Sequence, residues 1–474
     1  MRVLLVDPHY HLNKSGYRYS LGLAYIASQC VSIADVETIN FELSKKPLTL
    51  KEFQKEEEIF LKRLERLIEK ADVVGINTTM GSYGRMLKIA EIAKKAEKLV
   101  IVGGPQITFL LSLSRWWDNP FFDSGNAVDV AFKGEADYTI LSVLEAFEKG
   151  YNFSNIPGIS YISKGQVIHN REEPAPVDLA KIKPPIWDLL GIKGDNSIAF
   201  IGTSRGCRYA CKFCDERILL KGYRYRSTES VTSEIKSNLK KYAIRKYRFT
   251  DSCFSSNPLA EKLCDEIKDL NANIAWIAYA RVDEIAKKKA LLSKMKLAGC
   301  RCVYFGLETG DEYLLQRCNK KTSVSDMRTA FRLAREVGLK IKSSFIIGLP
   351  GETQESIRRT ISLAKELNPD IINWHIFAPS IRYLKNELKD IDVIWKNVQT
   401  DMPDELIAEY ASLLGDRASD LWVERHIGFK ASVVPQTLPR HISGMSYEKL
   451  YYWLREAIRE TKQNTETEPA LLDD

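Results

Sequence analysis

The chain has 474 residues, 45% of them hydrophobic and 28% charged, with a net charge of +7, which is too long for one ordinary domain and has the make-up of a globular protein rather than a disordered or fibrous one. Met1 leads straight into an apolar strand with no charged-then-apolar leader, and no apolar run reaches the roughly 20 residues a bilayer span needs, so a cytoplasmic protein without a membrane span is expected. The nine cysteines, an odd number with three close together, fit a reducing compartment and argue against a disulfide framework.

From the start of the chain, short apolar runs at Arg2 to Val6, Val36 to Asn40, Ala71 to Asn77, Leu99 to Gly104 and Val128 to Lys133 alternate with helix-like stretches such as Glu52 to Lys70 and Gly84 to Lys98. Such alternation predicts an α/β, doubly wound parallel sheet, a Rossmann-like domain over residues 1–154. Ligands of such sheets bind at the carboxyl ends of the strands. There the sequence places Asp7-Pro8-His9, Asn77-Thr78-Thr79, Gly103-Gly104-Pro105 and Gly134-Glu135. Small residues let a backbone approach a large flat molecule, and hydroxyls and amides meet its polar edge; the same residues also make ordinary tight turns.

Residues 155–195 read as a linker, a hairpin-like GISYISKGQVIHN followed by the proline-punctuated stretch from Glu173 to Trp187, with Trp187 packing at the domain junction. Over 196–383 strands return at Ile198 to Thr203, Tyr247 to Asp251, Ile274 to Ala280, Cys302 to Glu308, Ile341 to Leu349 and Ile371 to Ala378, with helices between them. Six strands and five crossovers predict a partial (β/α)6 barrel, whose chemistry belongs at the strands' carboxyl ends. Thr250, Asp251, Ser252, Arg281, Glu308, Gly348 and Glu352 fall at those ends, where acidic residues are also common as plain caps. In the last strand Asn373, His375 and Phe377 share one face and Trp374 and Ile376 the other, which makes His375 a candidate substrate contact against the alternative of a structural histidine. Residues 384–474 read as a mostly helical region with an amphipathic helix from Tyr447 to Thr461, a candidate cap for the barrel mouth.

The loop after the first barrel strand is GCRYACKFC, setting Cys207, Cys211 and Cys214 at a CxxxCxxC spacing. A four-iron cubane takes one thiolate per iron, so three cysteines leave the fourth iron open to another ligand. A structural zinc would close with a fourth Cys or His nearby, and the next cysteine, Cys253, lies far downstream.

This loop, with Phe213 before its third cysteine, resembles the signature of the radical S-adenosylmethionine (radical SAM) enzymes. The resemblance implies a 4Fe-4S cluster on the triplet and SAM chelated at the open iron. It also implies SAM contacts at Phe213, Thr250, Asp251, Ser252, Arg281, Glu308, Gly348 and Glu352. The order SLGLAYIAS, ADVVGINTT, VIVGGP and VDVAFKGEAD is similar to the cobalamin-binding domain that precedes many radical SAM cores. That similarity implies cobalamin lined by Pro8, Asn77, Thr78, Thr79, Gly103, Gly104, Gly134 and Glu135. Asp7, His9 and Leu12 form a near miss of the loop from which a histidine would bind cobalt, with leucine where glycine is needed, and His11 lacks an orienting Asp, so neither histidine is expected to bind cobalt.

The resemblance implies methyl transfer to an unactivated carbon or phosphorus of a small-molecule or natural-product substrate, one SAM supplying the methyl group to cobalamin and another the radical. Radical rearrangement, ring contraction or cyclisation is the alternative within the branch. An RNA-modifying methylthiotransferase would need three more cysteines in the first domain, which has only Cys30. A non-catalytic sensor would not need the SAM-site pattern. A flavodoxin- or ferredoxin-type electron donor and a monomeric chain are expected. The basic run from Lys236 to Arg248 falls on a barrel helix and strand, which reads as solvated exterior rather than a nucleic-acid surface.

Overall fold

Apolar runs only four or five residues long, such as VVGIN and LVIVG, suit strands buried on both faces, and the computed structural model has them so. It describes residues 1–12, 20–43, 50–79, 82–112, 122, 127–150, 152–170, 175–195, 197–377, 445, 447–461 and 472. These fall into two units, one holding Met1–Lys193 and Ile218–Leu220 and the other Gly194–Arg217 and the remaining described residues from Lys221 onward.

In the first unit β1 (Arg2–Leu12), β2 (Asp35–Leu43), β3 (Val73–Asn77), β4 (Leu99–Gly103) and β5 (Val130–Phe132) pair in the order β2-β1-β3-β4-β5, all parallel. The winding reverses between β1 and β3, which is where such sheets open a crevice at their carboxyl ends. The helix Leu21–Cys30 that follows β1 starts on Ser20, whose hydroxyl accepts from the Leu23 amide.

Two features depart from the expected layout. The hairpin β6 (Ile159–Ser163) and β7 (Gln166–His169) is not a free linker: β6 pairs antiparallel with β5, and Ile159, Ser160 and Tyr161 are buried there. β1 does not end at Val6; it passes a bulge between Asp7 and Tyr10 and pairs on with β2 to Leu12. Pro8 has no N–H to give the ladder, so a bulge is where the strand can accept it. The proline-punctuated stretch ends in the turn Trp187–Leu190, fully burying Trp187. It lies along the first unit, the Ile186 amide donating to Ser28 Oγ at 2.8 Å and the Thr38 hydroxyl to the Leu189 carbonyl.

In the second unit β8 (Ile198–Ile201) is followed by a ribbon of β9 (Ser204–Arg205) and β10 (Arg224–Tyr225), and then by β11 (Lys246–Phe249), β12 (Ala275–Ala280), β13 (Cys300–Glu308), β14 (Lys340–Ile347) and β15 (Ile371–Ile376). β8 and β11 to β15 neighbour one another in chain order, all parallel, as an open six-stranded barrel requires. The crossover helices start on local caps: Ser323 and Asp326 exchange side-chain bonds with each other's amides, as do Thr353 and Ser356. Phe305 and Leu307 of β13 are fully buried, whereas Tyr304 and Gly306 between them are half-buried. The Tyr304 ring lies 4.5 Å from that of Tyr279, and Asn373 Nδ2 lies 3.5 Å from its hydroxyl.

The helix Tyr447–Glu460 buries Leu450, Trp453, Leu454 and Ala457. It covers the outer face of β15, where Trp374 Nε1 donates to Thr461 Oγ1 at 3.2 Å, and Lys365 pairs with Glu460 at 3.0 Å. The rest of the expected helical region 384–474 lies outside the described residues apart from Met445 and Leu472. Among the described residues no helix is long and apolar enough to cross a membrane.

Candidate functional site

The cysteine loop leaves β9 at the carboxyl end of the barrel's first strand. Cys211 is buried, Cys207 half-buried and Cys214 exposed, and none is in a disulfide. The loop is braced from far along the chain: the Lys212 amide donates to the Cys318 carbonyl at 2.9 Å, Asn319 Nδ2 to the Ala210 carbonyl at 2.9 Å, and Arg208 to the Ser256 carbonyl at 3.3 Å. The Tyr209 hydroxyl donates to Glu284. Burial above all, with the neighbouring Cys253, Cys211 and Glu216, pushes the Cys207 thiol above its ordinary value. Among the described residues no three His, Cys, Asp or Glu side chains close on one point as ligands of a single ion do. Thiols that each hold a different corner of a cube have no need to.

Around this loop the barrel ends bring the expected residues together, but not all in the expected posture. Asp251 is fully buried and turned toward the chain leading into the loop, accepting from the Thr203 amide at 3.1 Å, the Thr203 hydroxyl at 2.6 Å and the Ser204 hydroxyl. Burial raises its pKa, and those donors oppose the rise. The Thr250 amide donates to the Ile201 carbonyl at 2.9 Å, and the Ser252 hydroxyl donates to Glu216.

Arg281 also faces the loop: Nη1 lies 3.9 Å from Cys211 Sγ, Nε donates to Asp283 at 2.9 Å, Nη2 to the Lys320 carbonyl, and the guanidinium sits 3.5 Å over the Tyr209 ring. Glu308, at a left-handed φ of 69°, pairs at 2.9 Å with Lys320, a buried lysine whose ammonium is 5.5 Å from the Phe213 ring centre. Phe213 packs on Cys318, Leu349 and Phe377. Glu352 folds back on its own turn, where the Gly348 and Leu349 amides donate to it; burial outweighs those bonds and pushes the carboxyl up to about 8. Its Oε1 is buried with no hydrogen-bond partner among the described residues. His375 is half-buried on β15, beside Ile346 of β14.

The sequence reading missed Lys320, Tyr209, Glu284 and Glu216. Tyr209 and Glu216 lie within or next to the cysteine loop and were within reach of it. Lys320 sits in an irregular turn with Asn319 and Lys321 at positive φ, and nothing in its spacing marks it.

At the carboxyl edge of the first sheet, Asp7 accepts from the His9 amide at 3.2 Å and the Ser20 amide at 3.0 Å, and the Pro8 carbonyl accepts from Arg85, a buried arginine paired with Glu57 at 2.8 Å. Asn77 Nδ2 donates to Ser20 Oγ at 2.9 Å, and the Thr79 amide to Ser82 Oγ at 3.0 Å. The Thr78 hydroxyl is buried and finds no partner among the described residues. Gly103 has ordinary contact with Phe132. Gly104, at φ 100°, is glycine for packing: a Cβ there would meet Asn77 Oδ1 and the Thr78 carbonyl at 2.6 Å. Gly134, at φ 83° with its amide donating to Thr108 Oγ1 at 2.9 Å, has nothing within 4 Å of a Cβ, and Glu135 beside it is half-buried. An unsatisfied buried hydroxyl and open space over a glycine fit a bound molecule at this edge.

An open parallel barrel with a thiol triplet after its first strand defines a class, and comparison with known proteins names it. Residues 201–364 match the family described as the radical SAM superfamily. A protein of Pyrococcus horikoshii described as an uncharacterized methyltransferase is 30% identical over 369 residues, 76% of this chain and 76% of its own. The anaerobic magnesium-protoporphyrin IX monomethyl ester cyclase of Rubrivivax gelatinosus is 25% identical over 403 residues, 80% of this chain and 68% of that one. Among solved structures, the radical S-adenosylmethionine methyltransferase TsrM of Kitasatospora setae, with cobalamin and a 4Fe-4S cluster bound, has a TM-score of 0.61 at 18% identity, covering 79% of this chain and 72% of that one, a likeness of fold. The chain belongs to the radical SAM superfamily. It is therefore an enzyme that uses S-adenosylmethionine and a 4Fe-4S cluster.

Proposed function

We propose that this enzyme is a cobalamin-dependent methyltransferase acting on an unactivated carbon or phosphorus centre of a small molecule. The observation that supports it most is the Thr78 hydroxyl, buried without a partner among the described residues at the carboxyl edge of a Rossmann-like sheet, in a chain that also carries the thiol triplet. On this reading Cys207, Cys211 and Cys214 hold one iron each. Phe213, Thr250, Ser252, Glu308 and the Gly348 to Glu352 turn line the place for SAM, while Asp251 and Arg281 act by fixing the loop. His375 meets the substrate. Pro8, Asn77, Thr78, Thr79, Gly103, Gly134 and Glu135 line the cobalamin edge, with Gly104 setting its shape.

Reductive cleavage of the SAM sulfonium at such a cluster supplies a 5′-deoxyadenosyl radical, and cobalamin, when bound, supplies a methyl group. Cys211 is the buried member of the thiol triplet, and the barrel face carrying Asn373 and His375 orients the substrate. A flavodoxin- or ferredoxin-type donor and a monomeric chain belong to the same proposal. Radical ring closure without methyl transfer is the second reading, favoured by the 25% identity to the cyclase.

The two readings separate by products. Anaerobic turnover with methyl-labelled SAM, a reductant and cell extract should give labelled product and equal amounts of S-adenosylhomocysteine and 5′-deoxyadenosine. 5′-Deoxyadenosine without S-adenosylhomocysteine would decide for ring closure.

A further inference from the structure

Charged side chains stand beside the cysteine loop: Arg281 and Lys320, paired with Asp283 and Glu308, and Glu216. Arg281 lies 3.9 Å from Cys211 Sγ, held there by Asp283, the Lys320 carbonyl and the Tyr209 ring. Lys320 also bears electrostatically on Cys211, and Arg281 and Lys320 are only 8% and 7% exposed, where charges are poorly screened. Glu216 opens the helix Glu216–Leu219 two residues after Cys214 and accepts from the Ser252 hydroxyl. The Arg281 donors go to Cys211, Asp283 and the Lys320 backbone carbonyl.

We propose that Arg281, with Lys320 beside it, raises the reduction potential of the cluster held by Cys207, Cys211 and Cys214, and that Glu216 lowers it. This rests on the reading that the triplet holds a 4Fe-4S cluster. One-electron reduction, the electron coming from the external donor, adds one negative charge to the cluster and its sulfurs. A guanidinium at a ligand sulfur stabilises that added charge, a carboxylate destabilises it, and both are among the means by which proteins set cluster potentials. Arg281 and Glu216 are positioning residues here, since neither needs to touch SAM or substrate.

The experiment is a dye-mediated potentiometric titration of the full-length, anaerobically reconstituted protein without SAM, read by electron paramagnetic resonance of the reduced cluster. At the wild-type midpoint, Arg281→Gln should lower the reduced-to-oxidised ratio about tenfold, a shift of about 59 mV for one electron. Arg281→Lys, which keeps the charge, should stay within about twofold. Glu216→Gln should move the ratio in the opposite direction, and it decides alone if Arg281→Gln fails to load. Loaded variants that leave the ratio unmoved, or move it the same way, overturn the proposal while the cluster reading stands. Wild-type protein that takes up no four-iron cluster overturns both.

Discussion

The Cys318 carbonyl accepts from Lys212 inside the cysteine loop and Phe213 packs on its side chain, so Cys318 is not a neutral control for the cluster ligands. Cys264, fully buried in the helix Ala260–Asp269, is one. Alanine at Cys207, Cys211 or Cys214 should abolish the brown iron–sulfur absorption, the iron content of reconstituted protein and 5′-deoxyadenosine formation, while Cys264→Ala keeps all three. A second residue gives a pH signature. With its carboxyl pushed up to about 8 by burial, Glu352 keeps a proton in the fold that the unfolded chain has lost above its ordinary value of 4.5. Stability therefore falls as pH rises from about 4.5 to about 8, by about 3 to 5 kcal/mol, and levels above that. Glu352→Gln should flatten this part of the curve in urea unfolding followed across that range. What could be read at this scale was which residues stand at the strand ends, because a parallel barrel puts its turns there. Where Asp251 and Arg281 point was not readable, because Ser204, Asp283 and the turn at Lys320 decide it through contacts in three dimensions.

Among the elements, the parallel strands were legible from apolar runs and the crossover helices from the helix-like stretches between them, but β1 was cut short in the reading. The run LLVDPHYHL loses its apolar pattern at Asp7, and only pairing with Phe41 to Leu43 carries the strand on to Leu12. The hairpin was legible as a hairpin and not as part of the first sheet, since its partner β5 is three residues long and lies far upstream. The extension of β1 bears on the histidines. Asp7, the residue that would orient a ligating histidine, already accepts the His9 and Ser20 amides and fastens the bulge to the start of the next helix. Neither His9 nor His11 should therefore bind cobalt. Electron paramagnetic resonance of cobalt(II)-loaded protein should show no nitrogen superhyperfine splitting from the protein, and a splitting that vanishes in His9→Ala would prove the opposite.

For the molecule as a whole, the cysteine triplet and the carboxyl edge of the first sheet belong to different compact units, each with its own core and its own hydrogen-bonded loops. Units of that kind could in principle fold alone, so the two sites are expected to load independently. The glycines allow the separation to be tested, because they differ in what surrounds them. A side chain at Gly104 would strike Asn77 and the Thr78 backbone, so Gly104→Val should distort the edge itself and cost stability as well as cobalamin binding. A side chain at Gly134 enters open space, so Gly134→Val costs the fold only the backbone strain of a positive φ, about 1 to 2 kcal/mol, and its further effect falls on the bound molecule. Calorimetric titration with hydroxocobalamin should find binding weakened in both variants, with the melting temperature lowered further for Gly104→Val than for Gly134→Val. Both should keep full iron content, and Cys211→Ala should keep cobalamin binding while losing iron. Loss of cobalamin binding in Cys211→Ala would mean that the two units do not load independently, and unweakened binding in Gly134→Val would move the cobalamin edge away from β5.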